Sequence, residues 1–195
     1  MRKLLLLTLT FTSINLGYAQ QKASQQITPQ QTESQLTLEK AALIKVKQYS
    51  TELKAALVGA IQQGGLKNAV EVCQLQAPQI AKELSTDGWQ ISRTSLKTRN
   101  ENNQPDAWEA EMLVQLDTKY KEVGKNQPLT VSKIDEKTFR YMQAIPTGAL
   151  CLGCHGQSVA PELLEKIQKH YPTDLAVGFT LEDIRGAFTL SKNMQ

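Results

Sequence analysis

From Leu36 to Gln63, the apolar residues Leu36, Leu43, Val46, Leu53, Leu57 and Ile61 recur at helical spacing with Lys and Glu between them. This predicts an amphipathic helix, which Gly64-Gly65 stops. A second stripe follows in steps of three and four: Leu66, Ala69, Val70, Cys73, Ala77, Ile80, Ala81 and Leu84. It predicts a helix over 66–84 with Cys73 in the middle of its inward face. Pro78 lacks an N–H and crowds the turn before it, so it is expected to bend or interrupt this helix.

Beyond the turn at Asp87-Gly88 the pattern changes. Residues 89–96 (WQISRTSL) read as a strand, and 100–105 as a loop. A helix is expected over 106–123, with Asp106 as its N-cap, Glu109 and Glu111 favouring its first turns, and Gly124 ending it. Two short strands, 129–134 and 138–144, are joined by a charged turn at 135–137. A helix over 161–170 starts with Pro at its first position, and 184–191 (IRGAFTLS) forms the last strand. Helices at the front followed by strands mixed with helices give an α+β domain.

The N-terminus follows a different logic. Arg2 and Lys3 precede an apolar stretch from Leu4 to Leu16, and Gly17-Tyr18-Ala19 places small residues around a cleavage point before Gln20. That is the pattern of a signal peptide over 1–19, and its apolar run is too short to span a bilayer. The expected mature chain is exported to the periplasm or another extracytoplasmic compartment and carries no membrane span. Residues 20–34, rich in Gln, Ser and Thr, are expected to be a disordered lead-in, and 35–195 to form one domain. The whole chain has 22 Lys and Arg against 19 Asp and Glu. The leader holds two of the basic residues and no acidic one, so the mature chain is close to neutral. Nucleic acid is therefore a poor partner for it.

Three cysteines occur in this exported chain. Disulfides are the usual fate of cysteine there, and an odd count leaves one over. The local sequence offers another use. Cys151-Leu152-Gly153-Cys154-His155 is the CxxCH pattern by which c-type haem is attached. Two thiols three positions apart on one turn reach two vinyl groups on one side of a porphyrin, and the adjacent His lies beneath the iron. Gly153 and Gly156 leave the backbone room for close approach. A zinc site would need a second ligand pair, with only Cys73 and His170 left to supply it. A thioredoxin-like pair would need a βαβ setting. Export also favours one covalent haem c, which is attached outside the cytoplasm.

The second axial position of the iron is open to Cys73, His170, Met112, Met142 or Met194. Cys73 is equally readable as a buried core thiol, and His170 as a helix-end residue favoured by the helix dipole. Around the end of the first strand, Arg93, Lys97 and Arg99 are candidates for haem propionates, or else form a solvated basic edge. Trp89, Trp108, Tyr141, Tyr171 and Phe179 read more readily as core aromatics than as porphyrin contacts.

Three stretches together resemble a known family: AVEVCQLQAPQIA with GWQISRTSLKTRNENNQPDAWE; AIPTGALCLGCHG; and YPTDLAVGFTLEDIRGAFTLS. They resemble the haem-c-binding, PAS-like domain found as an exported single-domain protein or as the extracytoplasmic sensor of bacterial signalling proteins. The resemblance implies a PAS-like antiparallel sheet flanked by helices, with long N-terminal helices. It also implies that Cys73, in the V-C-x-x-x-A-P run, is an axial iron ligand opposite His155. One position departs from the pattern, since Glu182 stands before Asp183 where the family often has Gly.

A thiolate ligand favours ferric over ferrous iron and lowers the reduction potential. Three functions compete on these grounds. A redox or gas sensor acting through a signalling partner, with CO or NO as small ligands, follows from the resemblance and from a thiolate that can leave on reduction. A low-potential electron carrier with a redox partner follows from the lack of any output segment in the sequence. A haem peroxidase is the weakest, because one of only two His residues is already used; the chain is expected not to be an enzyme.

Overall fold

The computed structural model describes residues 29–124, 128–135 and 137–194, with side chains from residue 33 onward. The expected leader and the first part of the lead-in, 20–28, lie outside the described residues. The elements are α1 (Pro29–Leu84), β1 (Trp89–Thr94), α2 (Ala107–Val123), β2 (Thr130–Asp135), β3 (Thr138–Pro146), α3 (Leu152–His155), α4 (Pro161–His170) and β4 (Ile184–Asn193).

The four strands form one antiparallel sheet in the order β1-β4-β3-β2. Helices cover both faces, as the expected PAS-like α+β fold requires. Alternation along the strands sorts the side chains between the two layers. On one face Trp89, Ile91, Phe139, Tyr141, Phe188 and Leu190 pack against Ala42, Val46 and Tyr49 of α1. On the other face Met142, Ala144 and Ala187 pack against Leu113, Leu116 and Tyr120 of α2.

The front of the chain differs from the sequence reading in three respects. Helix α1 begins at Pro29, so the last residues of the expected disordered lead-in are helical. Pro suits a first turn, and the Gln and Glu after it are good helix formers. The buried face of the first arm (29–63) runs through Ala42, Val46 and Tyr49, while Leu36 and Leu43 are exposed. A stripe picked by hydrophobicity alone missed the small Ala and amphipathic Tyr that fit against a sheet. Pro78 does not interrupt the second arm (66–84), because the only non-helical torsions within α1 are at Gly64 and Gly65. Gly65, at φ 70°, lies where side chains are disfavoured, and the break there lets the second arm turn away from the first.

Helix α2 starts just after Asp106, its expected N-cap. Glu109 does more than complement the dipole, for it closes a capping box with Asp106. Buried Glu109 also accepts a hydrogen bond from Thr189 Oγ1 at 2.6 Å and lies 3.3 Å from Arg140.

The second arm of α1 meets α4 through Val70, Leu163 and Ile167, with Leu66, Cys154, Val159 and Tyr171 packed alongside. Lys166 ties α4 to Glu71 at 2.5 Å. The arm that carries Cys73 is thereby docked onto the segment that follows the CxxCH motif.

Candidate functional site

A cavity of about 630 Å³ opens between the second arm of α1, the end of β1 and the CxxCH turn. This is within the usual range for cofactor pockets. Cys73, Cys151, Cys154 and His155 all line it. All three thiols are free and half-buried. Among the described residues no three Cys, His, Asp or Glu side chains converge on a point where a metal ion would sit.

Of the candidates for the second axial position, only Cys73 lines this cavity. Met142 is fully buried in the α2 core, and Met112 packs against that core. Met194 packs on the α1 side of the sheet. His170 is the last residue of α4. The inward-facing position read for Cys73 from its stripe is the one observed.

His155 is held by its ring. Its Nδ1 lies 2.7 Å from the carbonyl oxygen of Ala176. A carbonyl only accepts, so Nδ1 carries the proton and Nε2 is left with its lone pair. Burial first, then Arg99 and Arg185, push the His155 pKa down to about 3, against the opposing pull of the Ala176 carbonyl. The imidazole is therefore neutral, the state in which it binds a metal. Phe179 stands edge-on to the ring with centroids 6.4 Å apart.

The turn that presents these residues is tight. An added Cβ on Gly156 would lie 2.5 Å from the carbonyl oxygen of Leu152, and one on Gly153 would lie 3.0 Å from Leu66 Cδ1. The space left by both glycines is taken by the protein itself. Gly156 then pairs with Phe179 in an isolated bridge, which lays the 174–179 loop beside the motif.

Three arginines surround the thiols. Burial raises the Cys73 pKa, while Arg93, Arg99 and Arg185 pull it the other way. Arg93 and Arg185 each hold a buried Nε with no hydrogen-bond partner, and burial weighs against the Arg185 charge. Unpartnered buried nitrogens are costly, and although Arg185 also bonds the Cys151 side chain, an anionic group in the cavity would satisfy both Nε atoms. Sequence reasoning picked out Arg93 and missed Arg185, which sits in the D-I-R-G-A run.

Arg99 lines the cavity beside Arg93 and also makes structural contacts. Its Nε donates to Asp174 Oδ1 at 3.1 Å, and Nη2 lies 3.1 Å from Oδ2 as an ion pair without a hydrogen bond. Nη2 also donates to the carbonyls of Cys154 at 2.6 Å and Ala176 at 3.3 Å. Arg99 ties the motif to the 174–176 loop. Lys97 acts on the same loop, donating to the Val177 carbonyl at 2.5 Å and lying 4.5 Å from the Phe179 ring centre.

Tyr171 lines the cavity, whereas Trp89 and Tyr141 are core residues. Trp108 packs beside the α2 core under Arg140. Tyr49, Leu53, Leu57 and Ile61 of the first arm also line the cavity. The stripe of Leu53, Leu57 and Ile61 was visible in the sequence, but what it would face was not. Where the family pattern departs, Glu182 adopts φ 70°, the left-handed conformation that Gly takes freely.

The Tll0287-like family model matches residues 14–192. The chain belongs to the Tll0287-like family. A solved structure, that of the cyanobacterial haem protein Tll0287, matches with a TM-score of 0.59 at 27% identity, covering 80% of this chain and 96% of that one. Comparison with curated proteins finds no match. Within this Tll0287-like chain, the cavity, the CxxCH turn and the arm bearing Cys73 form one site built from three separate parts of the sequence.

Proposed function

We propose that this Tll0287-like protein binds one c-type haem in the cavity and acts as an exported redox or gas sensor through a protein partner. The observation that carries this reading is that Cys73, alone among the candidate second ligands, lines the cavity with Cys151, Cys154 and His155. The haem-protein description of the Tll0287 structure supports it.

The residues present fit such a group. Cys151 and Cys154 form no disulfide, and each would add its S–H across one vinyl group to form a thioether. His155 would supply Nε2 to the iron, with its ring already fixed through Nδ1. Arg93 and Arg185, each with an unpartnered buried Nε, would balance the two propionates. When bound, the haem supplies a one-electron iron couple.

Cys73 would complete the axial pair as a thiolate, favouring the oxidised state. When one electron arrives from an external donor, Cys73 would take up one proton and leave, which opens a position for CO or NO. Its release would be felt along α1, because the arm that carries it is docked on α4 by a small cluster. Two arrangements tied to one redox step are the minimum a sensor needs.

The test is the spectrum of haem-loaded protein in both oxidation states, with CO. The sensor reading expects ferrous protein to bind CO and to lose thiolate ligation. Ferrous protein that keeps both protein ligands and refuses CO is an electron carrier instead. Protein that acquires no covalent haem in a host able to attach it would end the reading.

A further inference from the structure

The pair Arg99–Asp174 is buried, with side-chain exposures of 15% and 3%, and it touches the accepting group of His155. The carbonyl of Ala176 receives two donors: His155 Nδ1–H at 2.7 Å and Arg99 Nη2 at 3.3 Å. Asp174 fixes both sides of this arrangement. It pairs with the guanidinium and its Oδ1 also accepts the Ala176 N–H at 2.9 Å. The same Arg99 nitrogen holds the Cys154 carbonyl at 2.6 Å, so the imidazole and the attachment turn are set by one side chain.

We infer that Arg99 and Asp174 are positioning residues that set how strongly His155 donates to the iron. The inference rests on haem ligation by His155 proposed above. A strong acceptor at Nδ1–H makes the imidazole a better donor and favours ferric iron. A guanidinium on the same carbonyl draws its electron density away, which weakens that acceptor and favours ferrous iron. The Asp174 carboxylate offsets part of the guanidinium charge. The two residues therefore push the ferric–ferrous equilibrium in opposite directions.

A purely structural role makes a different forecast, since breaking either partner of a buried ion pair loosens the same loop. Redox titration of haem-loaded wild type, Arg99→Gln, Arg99→Lys and Asp174→Asn separates the two. Asp174→Asn is expected to shift the equilibrium toward ferrous by about three- to tenfold, and Arg99→Gln toward ferric by a similar factor. Arg99→Lys keeps the charge but loses the planar fork, and should fall between wild type and Arg99→Gln. If Arg99→Gln fails to fold, the opposite shifts of Asp174→Asn and Arg99→Lys still decide the matter. Shifts of the same sign, or none, overturn the inference. So does an Arg99→Lys potential equal to wild type, because the shared carbonyl then has no effect. Wild type without His155-ligated haem overturns the parent reading as well, a result visible in its spectrum before any variant is made.

Discussion

His155 and Arg99 donate to one carbonyl, that of Ala176, at 2.7 and 3.3 Å. The imidazole is thus oriented by a loop that is itself tied to the end of β1, and the CxxCH turn is one part of a larger joint. Several consequences of this arrangement can be measured.

Gly156 is the tightest point of the turn, because a side chain there would meet the Leu152 carbonyl at 2.5 Å. Gly156→Ala should sharply reduce the yield of covalently loaded protein, measured as haem per polypeptide. Gly153→Ala meets only the tip of Leu66 at 3.0 Å and should reduce it far less. Equal yields for the two variants would contradict this account of the turn.

Ile167 is fully buried between Val70 and Leu163. Ile167→Ala should cost about 2–5 kcal/mol in denaturant unfolding. It should also weaken the low-spin signal of loaded protein, because it loosens the arm that carries Cys73. A loss of stability with an unchanged spectrum would show that the docking of α1 on α4 does not govern ligation.

Asp106 caps α2. Burial opposes its charge, but the N–H of Glu109 and the guanidinium of Arg140 outweigh that and hold its pKa below the usual carboxylate value. A depressed folded-state pKa adds stability above the unfolded value and loses it as pH falls through the folded one. Asp106→Asn keeps a good cap without the charge. Its melting temperature should therefore lie below that of wild type near neutral pH, and the two should converge as acid protonates Asp106. A constant gap across the acid range would contradict the assignment.

Glu182 adopts φ 70° while its N–H donates to the Thr147 carbonyl at 2.8 Å. Glu182→Gly keeps that backbone bond and removes the steric penalty on the left-handed conformation. It should raise stability by about 0.5–1 kcal/mol, read as a higher melting temperature. A lower one would mean that the contacts of Glu182 outweigh its torsion.

Much of this molecule was legible in the sequence because the signals were local. The CxxCH turn, the 161–170 helix and the strand alternation each depend on residues adjacent in the chain. Cys73 was legible as an inward-facing thiol because its stripe is regular. What it faced came from the resemblance, since no periodicity records which elements meet. Asp174 stands in no local motif, and Arg99 read as a propionate candidate or as part of a basic edge. Their ion pair joins residues far apart in sequence, and nothing near either one announces it. Arg185 carries no local signal, because nothing in its strand records that the cavity lies beside it. The helical start at Pro29 was missed because a polar segment reads as disordered when the helix it extends is not considered.

The central claim is that Cys73 and His155 share one iron, and EPR of ferric, haem-loaded wild type and Cys73→Ala tests it most directly. Wild type should give the low-spin signal of a thiolate opposite an imidazole. Cys73→Ala, with its thioethers intact, should lose that signal and become high-spin or take a different ligand. A Cys73→Ala spectrum identical to wild type would contradict the account.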